Sequence, residues 1–289
     1  MSSYQRFTDI EISNKRLPAC YGYLSSKLVP IETAVESIGD RVPDLVRFAK
    51  LAKKHCTYPN EHGLTQDESA ALYLYTMEMS DEQSFYHILN QTLRDENRSA
   101  LRPWFPYLKL LDTAVNKLPS TKTTAWRGIG INVSSSFQKH QTVTWWSVSS
   151  CSESVNTVKG FLGNSTQSTL FNIECINGKK VSSYTCYPEE NEILLMPGTT
   201  LKVVSDPLDH HGGLHIVHLK EIGDDNDNFP TSAITDKISG KEISSNISNK
   251  DNENSTAKAE NETKTKASKA NIKLTTFETD SSGVMDCLS

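Results

Sequence analysis

The spacing of apolar residues changes once along the chain, from a helical period to a strand period. Up to about residue 118, apolar side chains recur every three to four positions, as at Leu45, Phe48 and Ala52. This spacing places them on one face of an amphipathic helix. After Pro119 they occur in short alternating runs, which are typical of β-strands. Helices first and strands afterwards predict an α+β fold, in which an N-terminal helical bundle packs on a mixed, mainly antiparallel β core of two sheets.

Local signals place the individual elements. Thr65 and Glu68 stand three residues apart, which is the spacing of a capping box at a helix start, and Ser80 and Gln83 repeat it. A further helix is expected over residues 103–118. The expected strands, with one helix over 152–162 between the second and the third, cover residues 124–133, 142–149, 168–175, 192–196, 200–204 and 214–220.

The apolar content falls sharply after about residue 221, where Asn, Ser, Lys, Thr and Glu dominate. A segment of that composition buries too little apolar surface to offset the entropy lost on ordering. The sequence therefore predicts a lead-in with one helix over residues 1–57, a folded domain that carries the chemistry over 58–223, and a disordered polar tail over 224–289.

Charge and composition narrow the function classes. The 289 residues carry a formal charge of −5, so the clustered cations that bind nucleic acids are not expected. No apolar run reaches the roughly 18–20 residues that cross a bilayer, so no membrane association is expected either. The first residues lack the layout of a secretory signal, which favours a cytoplasmic location over secretion. Six cysteines without a CxxC pair indicate reduced thiols. Separately, we expect the protein to be a monomer.

Two motifs that suggest cofactor sites fail on inspection. Gly128 and Gly130 begin a dinucleotide-binding pattern, but Val133 holds the third glycine position and no βαβ unit surrounds it. Four histidines cluster late in the chain, yet no cysteine or carboxylate joins them at ligand spacing, so no metal is expected. These histidines are His210, His211, His215 and His218.

The acidic pair Glu190 and Glu192 opens a short apolar run that lies between Pro188 and Pro197. Side chains two apart on a strand face the same way, so the two carboxylates are expected to project together. Two acids held that close repel each other, which perturbs the proton affinity of at least one. The alternative interpretation is a solvated acidic turn.

Two further polar positions stand out in the strand region. Arg127 occupies an aromatic-rich strand, where a buried cation needs an anionic partner, either an internal carboxylate or the phosphate of a ligand. Ser147 and Ser149 are expected on one face at the end of the second strand. The alternative interpretation is that these serines are only the polar residues that commonly stand at the end of a strand.

Taken in order, Arg127, Ser147–Ser149 and Glu190–Glu192 resemble the R-S-E class of mono-ADP-ribosyltransferases, in particular the arginine-specific, vertebrate-type branch. The resemblance covers about residues 58–222 and includes the closing strand over 215–219. Val148 departs from the Thr or Ser usual between the two serines. Membership would imply the ADP-ribosyltransferase fold.

The resemblance also implies a substrate and a set of roles. NAD would bind as a substrate in a cleft between two sheets, without a metal. Arg127 would hold a phosphate of the pyrophosphate, with Gly128 and Ser149 lining the same NAD site. Ser147 would orient the nicotinamide-side ribose and the catalytic Glu192, which stabilises the oxocarbenium-like centre.

The acceptor side follows from the same resemblance. Glu190 would grip and deprotonate an exposed arginine of a target protein, since a guanidinium arrives protonated and non-nucleophilic. Tyr187, at the turn, is expected to pack on that target. The alternatives are an NAD glycohydrolase, with water as acceptor, a catalytically inactive NAD-binding module, and a secreted toxin.

Overall fold

The computed structural model describes Phe7, Asp9 and residues 17–79, 84–162, 167–210 and 212–223. The predicted tail over 224–289 and the second predicted capping box, Ser80–Gln83, lie outside the described residues.

The first half of the described chain is helical, as the apolar period predicts. The helix after the second predicted cap begins at Phe85, with Ser84 at its N-cap. The helices are α1 (Ile31–Glu36), α2 (Leu45–His55), α3 (Gln66–Thr76), α4 (Phe85–Arg94), α5 (Phe105–Lys117) and, between two strands, α6 (Val155–Leu162).

Helix α3 lies at the centre of the helical layer. Its predicted capping box is confirmed, because the Thr65 hydroxyl accepts from the Glu68 N–H while the Glu68 carboxylate accepts from the Thr65 N–H. This exchange satisfies two amides that an uncapped helix start leaves unpaired. Nearly all of the helix is buried, including Tyr75, whose hydroxyl reaches the strands below. Helix α3 therefore connects the helical layer to the site.

The second half is a β core with one parallel pairing, β4 with β8, and antiparallel pairings elsewhere. The predicted mixed, mainly antiparallel α+β architecture is confirmed. The strands are β1 (Ser120–Ile129), β2 (Thr142–Trp145), β3 (Ser149–Ser152), β4 (Ser168–Lys180), β5 (Glu192–Leu195), β6 (Thr199–Val203), β7 (Leu208–His210) and β8 (Leu214–Glu221).

Hydrogen bonds join the strands into one eight-stranded sheet rather than two separate ones. The order is β1-β3-β5-β4-β8-β6-β2, with β7 on β8, and β1 also pairs with β4. The cause is the length of β4, whose 13 residues pair along β1 and β8 and still reach β5 through Lys179 and Lys180. Strands β1 and β4 pair with each other, β1 and β4 also pair with β3 and β5 respectively, and β4 continues the sheet toward β8, β6 and β2.

The predicted strand over 142–149 is wrong as a single element. The chain leaves β2 after Trp145 and enters β3 at Ser149. The two strands have different neighbours, since β2 pairs with β6 whereas β3 pairs with β1 and β5. A continuous apolar and serine pattern does not reveal that break, because both pieces are buried.

Strands β3 and β5 lie between two apolar cores. Val148 and Leu194 belong to the core formed with the helices, whereas Cys151 and Ile193 belong to the core among the strands. Successive side chains of a strand point to opposite faces. The face of β5 that carries Leu194 is therefore turned toward the helices, and this is also the face of Glu192.

Candidate active site

Three neighbouring strands, β1, β3 and β5, bring together residues that are far apart in the sequence. Ser152 on β3 pairs with Trp126 of β1 on one side and with Glu192 of β5 on the other. Arg127 follows Trp126 directly. Ser152 and Glu192 are thus direct cross-strand neighbours, and Arg127 lies one residue beyond the position paired with Ser152, although Arg127 and Glu192 are 65 positions apart in the sequence (192 − 127).

The polar side chains of β3 share a face with Glu192. Cys151 points into the strand core, so its neighbours Ser150 and Ser152 point the opposite way, toward the helices. Tyr75 of α3 confirms that direction, because its hydroxyl lies 3.3 Å from Ser150 Oγ. Glu192 is fully buried on the same side, where it faces Ser152 directly.

Arg127 is fully buried, and its guanidinium contacts carbonyl groups. Nη1 donates to the Ser150 carbonyl and Nη2 donates to the Asp9 carbonyl. The guanidinium carbon also lies 5.9 Å from the centre of the Trp145 ring, within the range of a cation–π contact. Among the described residues, these partners of Arg127 include no carboxylate. The internal salt bridge that the sequence left open for Arg127 is therefore not observed in the described part of the chain.

Ser147 and Ser149 do not lie on one face of one strand, contrary to the sequence prediction. Ser147 is buried in the connection between β2 and β3, and Ser149 is the first residue of β3. The Ser149 hydroxyl donates to the Ser147 carbonyl over 3.3 Å. The two serines therefore stabilise a turn into the strand.

Helices α3 and α4 hold that turn through Val148. Asn90 of α4 accepts from the Val148 N–H and donates to the Val148 carbonyl, both over 3.0 Å. The Tyr75 hydroxyl donates to the same carbonyl over 3.1 Å. Burial raises the pKa of Tyr75 well above its usual range, so the hydroxyl stays a donor. These bonds position β3, and through the Ser150 carbonyl they position Arg127.

Ser150 and Ser152 are the residues that the sequence analysis missed. Ser152 Oγ donates to the Glu190 carbonyl over 2.6 Å and accepts from the Ser154 N–H over 3.0 Å. The signal that could have found them is a second Ser-x-Ser pattern three residues after the first, at Ser150 and Ser152. The two patterns differ only in their place relative to the start of β3 at Ser149: both serines of the second pattern lie within the strand, whereas Ser147 precedes it.

Glu190 and Glu192 are both buried, but strand alternation does not align them. Pro188–Glu190 forms a 3₁₀ turn, and Asn191 adopts a left-handed conformation with φ of 49°. The strand begins only at Glu192, so the expectation of a shared strand face is wrong. Proline fixes the turn before the acids, and asparagine tolerates the left-handed conformation better than most residues.

Glu190 lines a pocket of about 260 Å³ together with helix α6. Glu189 and Phe161 line the same pocket, and the remaining lining residues are Asn156, Thr157 and Gly160. Two carboxylates beside an aromatic ring form a site suited to a flat cation such as a guanidinium.

Gly128 allows helix α6 to pack closely on β1. A side-chain Cβ at this position would lie 2.7 Å from Val158 Cγ1 and 3.1 Å from Leu162. The glycine that the resemblance placed in the NAD site therefore has an evident packing role on α6. Through α6, it also sets the position of one wall of the pocket.

The remaining candidates have other contacts. His215 Nδ1 lies 2.5 Å from an Asp209 oxygen, and His218 Nε2 lies 2.7 Å from a Glu174 oxygen. Within the described ranges, no group of three or more His, Cys, Asp or Glu side chains is arranged to hold a metal ion. No helix of the described chain has the length and apolar character to cross a bilayer.

Comparison with known proteins identifies the class. The model of the NAD:arginine ADP-ribosyltransferase family matches residues 37–227, which is most of the folded part of the chain. The chain belongs to this family. Its members are ADP-ribosyltransferases, for which NAD is the substrate.

One curated relative and several solved structures are similar. The Mycobacterium avium (strain 104) protein "Putative NAD(+)--arginine ADP-ribosyltransferase Mav" is 30% identical over 164 residues, which is 55% of this chain but 18% of that protein's length. The ADP-ribosyltransferase Vis, solved with agmatine, has a TM-score of 0.47 at 19% identity and covers 63% of this chain and 86% of its own.

Exoenzyme S from Pseudomonas aeruginosa, solved with human 14-3-3 protein beta and carba-NAD, has a TM-score of 0.47 at 17% identity, with coverage of 73% and 99% of the two chains.

Proposed function

We propose that this protein transfers a single ADP-ribose unit from NAD to the guanidinium of an arginine on an acceptor protein, with release of nicotinamide. The observation that carries the proposal is the placement of Arg127, Ser152 and Glu192 on three adjacent strands, with Glu190 at the pocket beside them. The family name, which pairs NAD with arginine, supports the same acceptor.

Glu192 is the residue proposed to act on NAD. The bond from ribose C1 to the nicotinamide nitrogen breaks, nicotinamide leaves with the bonding electrons, and positive charge develops on the ribose. A buried carboxylate at this place stabilises that charge more effectively than one in water. Glu192 begins β5 and is fully buried, so its position is fixed by the strand pairing with Ser152.

The pocket beside Glu190 supports arginine as the acceptor. A guanidinium nitrogen forms the new bond to ribose C1 and must lose a proton, because an arginine side chain is protonated at neutral pH. Glu190 is the base proposed to accept that proton. Glu189 and Phe161 line the same pocket and would contact the flat cation.

Ser152, rather than Ser147, is the serine that we assign to the site. Ser152 faces Glu192 across the strand pair and holds the Glu190 carbonyl by a hydrogen bond of 2.6 Å. It is a positioning residue for both acids. Ser147 lies in the turn before β3. Its carbonyl accepts from the Ser149 hydroxyl, and Asn90 of helix α4 holds the turn at Val148.

Arg127 is the cation proposed to hold a phosphate of NAD. A guanidinium presents planar N–H donors that match phosphate oxygens. The Ser150 carbonyl fixes the Nη1 side, so the Nη2 side is the one available to a ligand once the Asp9 carbonyl moves away.

Incubation of the purified protein with NAD and agmatine tests this function. The expected products are nicotinamide and ADP-ribosyl-agmatine, with agmatine accelerating nicotinamide release above the rate of NAD hydrolysis alone. Nicotinamide release without any ADP-ribosyl-agmatine would instead identify an NAD glycohydrolase. NAD binding without nicotinamide release would identify an inactive binding module.

A further inference from the structure

Phe7 and Asp9, near the start of the chain, each contact a residue of the site. The Asp9 carbonyl accepts a hydrogen bond from Arg127 Nη2. The ring of Phe7 is fully buried and stacks on Phe161, with ring centroids 4.6 Å apart and an angle of 28° between the planes. Phe161 lines the pocket beside Glu190. Asp9 therefore contacts the arginine proposed to bind a phosphate of NAD, and Phe7 contacts a residue that lines the proposed acceptor pocket.

The carboxylate of Asp9 anchors this contact on helix α4. Oδ1 accepts from Arg94 Nη2 over 2.6 Å, and Oδ2 accepts from Asn90 Nδ2 over 3.0 Å. His87 Nδ1 lies 3.9 Å from Oδ1. The side chains of Asp9 and Arg94 are only 7% and 16% exposed, so water and salt screen this pair weakly. The anchor holds the Asp9 backbone where its carbonyl meets Arg127.

The Asp9 carbonyl and a phosphate of NAD need the same side of Arg127. The Ser150 carbonyl, which belongs to the sheet, takes Nη1, and the Asp9 carbonyl takes Nη2. A phosphate oxygen is a stronger acceptor for a guanidinium than a neutral carbonyl. NAD can therefore displace Asp9, but only at the cost of the contacts that Asp9 and Phe7 make.

We propose that the contact made by Phe7 and Asp9 is autoinhibitory: the Asp9 carbonyl competes with NAD for Arg127, and the stacking of Phe7 on Phe161 holds this part of the chain in place. The proposal rests on the function proposed above, which assigns Arg127 to a phosphate of NAD. A ligand that binds only the open form has an apparent affinity reduced by the fraction of open molecules. Loosening the contact therefore increases NAD affinity without a change in the chemical step.

The test uses the full-length chain with Phe7→Ser and Asp9→Ala combined. NAD binding is followed by tryptophan fluorescence, since Trp145 lies 5.9 Å from the Arg127 guanidinium. The dissociation constant for NAD is expected to fall at least about threefold, and KM for NAD with it, while kcat stays unchanged. Glu32→Ala, which removes an acid paired with Lys53 on other helices, is the matched control and is expected to leave both constants unchanged.

A charge-reversed pair separates the contact from general stability. Asp9→Arg and Arg94→Asp each break the ion pair when made alone, and each is expected to tighten NAD binding. The double variant restores an ion pair of opposite polarity and is expected to return the dissociation constant toward that of the wild type. A loss of stability alone would weaken the apparent NAD binding of the single variants rather than tighten it.

A peptide of residues 1–16 provides a third measurement. Added to the Phe7→Ser, Asp9→Ala protein, it is expected to inhibit competitively with NAD, whereas a scrambled peptide does not. An unchanged NAD dissociation constant in the combined variant would overturn the autoinhibition and leave the transferase function standing. Tighter NAD binding without transfer by any variant would support the contact and reject the transferase function. A complete lack of NAD binding would reject both.

Discussion

Ser152 and Glu192 face each other across strands β3 and β5, and the Ser152 hydroxyl also donates a 2.6 Å hydrogen bond to the Glu190 carbonyl. One serine thereby fixes the position of both acids, the one at the start of β5 and the one in the turn before it. The left-handed Asn191 between them turns the chain so that Glu190 reaches the pocket beside α6. This arrangement gives the two acids separate tasks.

The two acids are expected to differ when each is changed to its amide. Glu192→Gln removes the charge that stabilises the ribose cation, so both transfer to agmatine and NAD hydrolysis should fall by about 100-fold or more. Glu190→Gln removes the acceptor base and should abolish transfer while hydrolysis continues. Nicotinamide release with and without agmatine measures both. Equal loss of hydrolysis in the two variants would contradict these roles.

The serines of the two Ser-x-Ser patterns are expected to differ as well. Ser152→Ala loses the hydrogen bond to the Glu190 carbonyl, and a bond of this kind contributes about 1–1.5 kcal/mol, so transfer should fall roughly tenfold. Ser147→Ala is the matched control and should change kcat less than twofold. Steady-state transfer to agmatine measures both variants. A larger loss in Ser147→Ala would return the role to the residue expected from the sequence.

Gly128 and Gly160 allow a paired test of the packing of helix α6. Gly128→Ala places a Cβ 2.7 Å from Val158 Cγ1, and overpacking of this kind costs about 1–3 kcal/mol, which lowers Tm by several degrees. Gly160→Ala meets nothing within 4 Å and removes a helical glycine, so Tm should rise slightly. Thermal unfolding of both variants checks the pair, and a similar fall in both would disprove the packing role.

The buried thiol of Cys151 predicts a loss of stability in alkali. Burial raises its pKa from 9.0 to about 12, with Arg127 opposing the shift and Glu192 adding to it. Between these values the unfolded chain releases the thiol proton while the folded chain keeps it, so the folded state binds more protons. Stability from this group is complete below about pH 9 and falls by up to about 1.4 kcal/mol per pH unit above it.

Cys151→Ala isolates that contribution. Unfolding in denaturant at pH 8 and pH 10.5 gives the pH dependence of the unfolding free energy for both proteins. The variant should lose less stability than the wild type between the two pH values, because the other buried acids, such as Tyr75, are common to both. Parallel losses would show that Cys151 does not retain its proton in the folded state.

Most of the elements follow from local patterns. The capping box at Thr65, the helix from Leu45 and the strand beginning at Glu192 are where the sequence predicts them. Each depends on neighbours within a few residues, either a cap that pairs backbone amides or a period that matches one buried face. The order of helices before strands was sufficient to predict the α+β class.

The elements that were mispredicted depend on partners far away in the chain. The break after Trp145 occurs because β2 pairs with β6 and β3 pairs with β5, and no local pattern encodes that choice. The same break decides whether Ser147 or Ser152 faces Glu192. A shift of three residues on a strand exchanges the faces of its side chains.

From the sequence alone, the R-S-E resemblance, the acidic turn after Pro188 and the buried arginine were identifiable, because each is a property of a few adjacent residues. Tertiary structure alone decided which serine lies between the arginine and the acids, how the 3₁₀ turn separates the two carboxylates, and that Asp9 contacts Arg127. The reason is that strand pairing and burial join residues separated by tens of positions, and their geometry is set only when the whole core packs.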